Sequence, residues 1–339
     1  MKAVQIFDHG NIDVLKINDI KIPKCSSNKI LINVKASAIN HLDIWVRNGL
    51  PGLPIPLPLI MGSDGAGTIV EIGSNITDFN VGDNVVVQPG TFNSTSSNMS
   101  ENYLNSYGIL GETSDGTQAE YILLSKNNIH LMSSHLSFEE AASMQLVFMT
   151  SYQMIVERAK LLKDETILIY GATSGVGSAA IQIAKDIGAK VISTVGNHSK
   201  EKYAYDMGSD YVFIHDDDLN NNINSVVGKN PVNVVFEHTG LKTWKNSLRV
   251  LSKGGRIVTC GSTTGAIVEI DLRHLFMKQQ TILGSTMASI KSFNAVMKKI
   301  NSQKYTPFID KIFDLKEVKH AHSRMESRNH FGKIILSHI

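Results

Sequence analysis

The chain has 339 residues, 42% of them hydrophobic and 19% charged, enough for two ordinary domains with cores of their own. Its 33 basic and 31 acidic side chains leave a formal net charge of +2, too little to mark a general nucleic-acid or membrane-surface binder. No run of about 18 apolar residues occurs, so no membrane span is expected. The two cysteines, Cys25 and Cys260, exclude a disulfide framework and a cysteine-rich metal site, and a reducing cytoplasm is the expected compartment.

The start, Met1-Lys-Ala-Val-Gln-Ile-Phe-Asp8, lacks the apolar stretch of a signal peptide and reads as a first strand. Up to about residue 125 the chain reads as β-rich. Ile30, Ile32, Val34 and Ala36 alternate with Leu31, Asn33, Lys35 and Ser37, the pattern of a half-buried strand. Short strands follow at 68–72, 84–87 and 119–124. Four of the eight prolines fall within 51–58, which must be an extended loop. The Ser/Asn-rich stretch 91–106 has no apolar period and is expected to form a mobile surface lobe. Its sequons at Asn93 and Asn98 are what such a composition produces by chance.

From about 138 the pattern changes. Ser137 precedes Phe138-Glu-Glu140 as a candidate N-cap of a long helical stretch. Apolar strands then alternate with helices: 166–170, 190–195, 211–214, 232–236, 256–260 and 282–284. Six short strands with helical crossovers indicate a doubly wound parallel sheet. A helix at 292–301 and a strand at 333–336 complete the chain.

The first of these strands runs into Gly171-Ala-Thr-Ser-Gly-Val-Gly177 and then into a helical segment. Strand, glycine-rich turn and helix together form a pyrophosphate site, because glycine lets backbone N–H groups approach and the helix end adds a favourable dipole. Thr173, Ser174, Gly175, Val176 and Gly177 are the candidate contacts. A carboxylate about 20 residues on would bind an unphosphorylated ribose. Here the second strand ends in Gly196 and Asn197, and Ser199 and Lys200 follow, with no acid until Glu201. That set favours a 2′-phosphate and hence NADPH over NADH, unless Lys200 is only a solvated first-turn lysine. Thr239, Gly261, Ser262, Ser285 and Thr286 follow the fourth, fifth and sixth strands, at the carboxyl edge of the sheet where the cofactor belongs.

The motifs Asn40-His-Leu-Asp-Ile-Trp-Val-Arg-Asn-Gly49, Gly62-Ser-Asp-Gly-Ala-Gly67, Val81-Gly-Asp83, Gly116-Thr-Gln-Ala-Glu-Tyr121, Gly254-Gly-Arg256 and Phe331-Gly-Lys333, with the nucleotide turn, resemble the medium-chain dehydrogenase/reductases over nearly the whole chain. The resemblance implies an α/β architecture. A GroES-like β-barrel catalytic domain (1–124) precedes a doubly wound parallel-sheet Rossmann domain (125–270). The last Rossmann strand and a return to the catalytic domain (271–339) follow. It further implies an interdomain active site and a homodimer or homotetramer, with edge pairing by 267–271 or the last Rossmann strand as a route.

Zinc members of that family use Cys, then Gly-His-Glu, then Cys, His or Asp. Here those positions read Asn40, Gly62-Ser-Asp64 and a stretch from Gln145 to Gln153 without such a ligand. Neutral amides and a hydroxyl do not form a usual zinc site, so no metal is expected, the alternative being an unfamiliar site made from His41, Asp64 and another histidine. Asp64 is left as a second-layer or purely structural carboxylate. Without zinc to stabilise an alkoxide, hydride transfer to a conjugated C=C or quinone is the less demanding reaction, since hydrogen-bond donors suffice for the developing oxyanion.

The resemblance places Asn40 at the nicotinamide and substrate, although a strand-end cap is its bland alternative. It makes His41 a pyrophosphate contact or proton donor and gives Trp45 a place in the pocket wall or the core. Thr150 is expected to face the nicotinamide, and Lys333 to approach the cofactor or lie at a strand edge. Asp43 and Arg47 read as structural, a candidate local pair. Cys260 reads as a packing residue. The expected function is zinc-independent, NADPH-dependent reduction of a quinone, enone or enoyl thioester. The alternatives are a zinc-type alcohol/aldehyde dehydrogenase and a non-enzymatic NADPH-binding protein.

Overall fold

The computed structural model describes every residue except 93–98, 217 and 339. Residues 93–98 belong to the lobe expected at 91–106, and both sequon asparagines lie outside the described residues. What is described of the lobe is a 3-10 turn, Glu101–Tyr103, and a short pairing of Gly90–Thr91 with Gly108–Ile109.

The chain divides into two compact units, one of residues 1–146, 289–301 and 306–339, the other of 147–288 and 302–305. The first unit is β-rich. Its seven-stranded sheet runs Ile129–Leu131, Asn84–Val87, Asp64–Ile72, Lys29–Ile39, Lys333–Ser337, Ile309–Asp314, with Tyr121–Ser125 also on Lys29–Ile39. The eleven-residue strand Lys29–Ile39 organises this unit. One edge pairs along Asp64–Ile72, with register shifts after Leu31 and Val34. The other is shared, Tyr121–Ser125 taking its first five residues and Lys333–Ser337 its last four. Bulged strands twist and curl, which is how a sheet closes toward a barrel.

The expected alternation holds at Ile30, Ile32, Val34 and Ala36, all buried. From Ser37 to Ile39 every side chain is buried, so the end of the strand that leads into Asn40 is covered on both faces. Two of the apolar clusters among the described residues of the unit draw on the strand Lys29–Ile39. One gathers Ile30, Ile32, Val34, Ile69, Val85 and Ile122; the other Val4, Ile39, Ile44, Val46, Phe313 and Leu336. Each fully buried aliphatic side chain contributes about 1.5–3 kcal/mol.

The second unit carries a six-stranded, all-parallel sheet. In sheet order its strands are Tyr211–Ile214, Lys190–Val195, Thr166–Ile169, Val232–Glu237, Leu251–Thr259 and Thr281–Gly284. In order of appearance that is 3-2-1-4-5-6, the doubly wound dinucleotide-binding order, with its switch point between the first and fourth strands. Ile167, Leu168, Ile169, Val234, Val235 and Phe236 are all fully buried, the signature of central parallel strands covered on both faces. Among the described residues no helix is long and apolar enough to cross a membrane.

Candidate active site

The candidate site residues fall into two groups, one in each unit. In the second unit the helix Gly175–Ile187 begins directly behind the turn, with Ser174 as its N-cap: Ser174 Oγ accepts from Gly177 N at 3.0 Å. The remaining first-turn amides, Gly175 and Val176, are the groups such an end presents to an anion. A Cβ on Gly177 would lie 2.2 Å from Gly171 O, so only glycine allows the helix to start this close to the strand, and Gly171 itself has φ +61°. Thr173 is buried beside them.

Asn197 and Ser199 are exposed at the end of the second strand, joined by a 2.6 Å bond from Ser199 Oγ to Asn197 Oδ1. Gly196 faces open space, for a Cβ there would meet nothing within 4 Å. Lys200 is not a solvated lysine: it is buried at the end of the 3-10 turn His198–Lys200. Glu201 is turned to His198, 2.7 Å away, and Lys202 to Asp206, 2.6 Å away.

Further along the carboxyl edge, Glu237 anchors the turn after the fourth strand. This fully buried carboxylate accepts from Thr239 N (2.6 Å), Gly240 N (3.0 Å), Thr243 Oγ1 (2.8 Å) and Ser247 Oγ (3.0 Å). Thr239 O accepts in turn from Thr264, at N (2.8 Å) and Oγ1 (2.7 Å). Gly261 O accepts from Thr259 Oγ1 at 3.2 Å, and Ser262 O from Gly265 N at 3.1 Å. Ser285 Oγ is buried with no partner, and Gly284 before it faces open space. Thr286 is exposed. Thr150 is buried on the helix Gln145–Tyr152, its hydroxyl 4.0 Å from Met287 Sδ. That helix continues into a π-helical turn, Gln153–Arg158, from which Arg158 Nε donates to Gly284 O at 2.8 Å. The dehydrated surroundings of Cys260, with Glu237 nearby, push its thiol up to about 12, as suits a packing residue and not a nucleophile.

Sequence reasoning missed Glu237. Its signal was a single acid closing a mostly apolar strand, Val-Asn-Val-Val-Phe-Glu237, immediately before His-Thr-Gly240.

In the first unit Asn40 ends the long strand and precedes the helix His41–Asn48. Asn40 N donates to Asp43 Oδ2 at 2.7 Å, fixing the start of the helix. The Asn40 side chain is only 5% exposed. Its Nδ2 donates to Asp64 Oδ2 at 2.9 Å, and its Oδ1 accepts a short bond from Lys333 Nζ. Lys333 also pairs with Asp64 Oδ2 at 3.0 Å, and Asp64 Oδ1 accepts from Leu146 N at 2.8 Å. Lys333, expected at the cofactor or at a strand edge, is thus a buried partner of Asn40 and Asp64.

Burial pushes the Asp43 carboxyl up to about 7, offset by the Asn40 amide and Lys333 and reinforced by Asp64. Ser63, where the family's zinc members have histidine, is buried and its hydroxyl has no partner. His41 and Trp45, one helical turn apart, are half-buried and meet edge to face with ring centroids 5.0 Å apart. Arg47 does not pair with Asp43. It is buried and bonded to Glu326 and to Gly10 O, because Asp43 is turned back to the helix start. Among the described residues no group of three or more His, Cys, Asp or Glu side chains could hold a metal ion.

The chain matches the alcohol dehydrogenase GroES-like domain over residues 26–134 and the zinc-binding dehydrogenase domain over 175–302. It is 30% identical to human quinone oxidoreductase, over 85% of this chain and 81% of that protein. Among solved structures it is similar to an NAD-dependent alcohol dehydrogenase, with TM-score 0.94, 34% identity and 99% of each chain covered. It is also similar to a 2-octenoyl-CoA carboxylase reductase solved with NADP and 2-octenoyl-CoA, with TM-score 0.91, 25% identity, 99% of this chain and 87% of that one. The chain belongs to the medium-chain dehydrogenase/reductases, a superfamily of oxidoreductases, in its quinone oxidoreductase-like branch.

Proposed function

We propose that this protein uses NADPH, without zinc, to reduce a conjugated acceptor: a quinone, an enone or an enoyl thioester. The observation that carries this reading is the side chain of Asn40, held between Asp64 and Lys333 where the zinc members have their first ligand. An ammonium paired with Asp64 already supplies the local positive charge. With Asn40 and Ser63 as neighbours, the donors do not suit zinc, which takes thiolate, imidazole or carboxylate.

The residues fit a dinucleotide. The glycine turn at 171–177, the capped helix end, and the open space over Gly196 and Gly284 are what a bound pyrophosphate and ribose require. Thr173, Ser174, Gly175, Val176 and Gly177 would hold the pyrophosphate. Asn197 and Ser199 would hold the adenosine ribose and its 2′-phosphate, with Lys200 beside them. Thr239, Gly261, Ser262, Ser285, Thr286 and Thr150 would hold the nicotinamide half. When bound, NADPH supplies the hydride. The chain's own contribution is an Asn40 N–H placed for the oxygen on which negative charge develops, with His41 and Trp45 beside it to orient the acceptor. Removing one such donor typically lowers kcat by about 10²–10³-fold.

The test is NADPH oxidation with quinones, 2-alkenals and short enoyl-CoAs, alongside metal analysis. Turnover of at least one class by metal-free protein is expected, with Asn40→Ala reducing kcat/KM by about 10²-fold. About one tightly held zinc per chain that is required for turnover would overturn the reading and favour alcohol dehydrogenation, which the likeness to the NAD-dependent alcohol dehydrogenase supports. NADPH binding with no turnover of any acceptor would make the protein a nucleotide-binding module.

The same reading includes a cytoplasmic homo-oligomer. Two widely separated free cysteines support the compartment. An exposed apolar face on the second unit supports assembly, with Ile267, Leu272, Phe276 and Met277 exposed by 65–85%.

A further inference from the structure

Asp64 and Lys333 form a buried ion pair, 0% and 4% exposed at the side chain. Such pairs seldom stabilise a fold beyond what apolar residues would, so their presence calls for another reason. The reason lies in what they do to Asn40. A carboxamide has two faces of nearly equal shape, and in water it turns between them freely. Here the choice is forced. An ammonium has only hydrogens to give, and a carboxylate only lone pairs, so Oδ1 must face Lys333 and Nδ2 must face Asp64. The reverse orientation would set NH₂ against NH₃⁺ and C=O against COO⁻, two repulsive contacts where screening by water is weak. Leu146 N holds the other carboxylate oxygen, so Asp64 cannot turn away. Nδ2 has two hydrogens, and Asp64 takes one.

We propose that Lys333 is a positioning residue which, with Asp64, locks the Asn40 amide so that its second Nδ2 hydrogen, and not its carbonyl, is offered to the acceptor oxygen. This rests on the reductase reading above. It differs from a direct cofactor contact by Lys333 in where the loss appears when the lysine is removed.

The experiment uses the full chain with NADPH and whichever quinone or enoyl-CoA the wild type turns over. Lys333→Met is expected to lower kcat by about 10²-fold, close to the loss of an oxyanion donor, with the Kd for NADPH unchanged. Because Lys333→Met leaves a lone buried carboxylate, the double variant Asp64→Asn/Lys333→Met serves as its folding control. It is expected to melt near the wild type and still to lack kcat. In an Asn40→Ala background Lys333→Met is expected to cost nothing further, since it acts only through that amide.

Full kcat in the double variant, a loss confined to NADPH affinity, or fully additive losses with Asn40→Ala would each overturn the proposal. Should the wild type turn over none of these acceptors, the reductase reading fails, and the lock is then decided by ¹⁵N NMR of the Asn40 side-chain amide. Nδ2 protons that exchange slowly with solvent, and at least about tenfold faster in Asp64→Asn/Lys333→Met, would support the lock, and unchanged exchange would overturn it.

Discussion

At the scale of the residue, His338 and Asp43 give stability a dependence on pH of opposite sign. His338 Nδ1 lies 3.2 Å from Ala119 O, which can only accept, so this nitrogen carries the proton and Nε2 accepts from Ser37 Oγ at 2.8 Å. Burial lowers the His338 pKa to about 4, and burial together with the Arg47 charge lowers that of His322 to about 3. Both fall below the unfolded value of about 6.5, so the folded chain binds fewer protons and stability is lost as pH drops from about 6.5 toward 4. Asp43, raised to about 7, works the other way: its contribution is full below about 4 and is lost as pH rises toward 7. Urea unfolding midpoints followed from pH 4.5 to 7.5 should show a flatter acid limb in His338→Gln. In Asp43→Asn the decline toward neutral pH should be smaller than in the wild type. Wild-type slopes in both variants would contradict these assignments. None of this was legible in the sequence, because a histidine near one end of a chain gives no sign of what will enclose it. The motif marked Asn40 as a candidate site position. Its tie to Lys333 was not legible, since the two stand 293 residues apart.

At the scale of the element, the six strands of the parallel sheet were legible because buried parallel strands are continuous apolar runs bounded by turns. Lys16–Asp19 and Ile309–Asp314 were not read. Three of the four residues in the first are exposed and only Phe313 is buried in the second, so neither carries the alternation that identifies a strand. The nucleotide turn gives a test that separates stability from binding. Ser174→Ala removes the cap on Gly177 N and should lower stability by about 1 kcal/mol in thermal unfolding. Gly196→Ala adds a methyl group that meets nothing, so it should leave the melting temperature alone while weakening NADPH binding, measured by fluorescence titration. At the same strand end, Asn197→Asp should cost NADPH affinity about tenfold, by repulsion of the 2′-phosphate, and spare NADH. Equal effects on both nucleotides would place the adenosine elsewhere.

At the scale of the whole molecule, Leu272, Phe276 and Met277 stand on or end the short helix Leu272–Met277, directly before the outermost strand of the parallel sheet, Thr281–Gly284. An exposed apolar helix beside an open sheet edge is a surface that a second copy would cover by two-fold pairing. Light scattering should give twice the chain mass for the wild type and the single-chain mass for Leu272→Lys/Phe276→Lys. A monomeric wild type would contradict the assembly. The family motifs made the division into a barrel and a nucleotide fold legible. The course of the last strand was less so: Lys333–Ser337 is laid between Lys29–Ile39 and Ile309–Asp314. That insertion sets an order of events during synthesis. Asp64 leaves the ribosome 269 residues ahead of its counter-charge. Until Lys333 arrives, Asp64 lacks its counter-charge, and the last four residues of Lys29–Ile39 lack their partner strand Lys333–Ser337. The amide on which the chemistry is proposed to depend therefore takes its final orientation only once the chain has been made through Lys333, so a half-made barrel cannot yet offer its donor to a reactive acceptor.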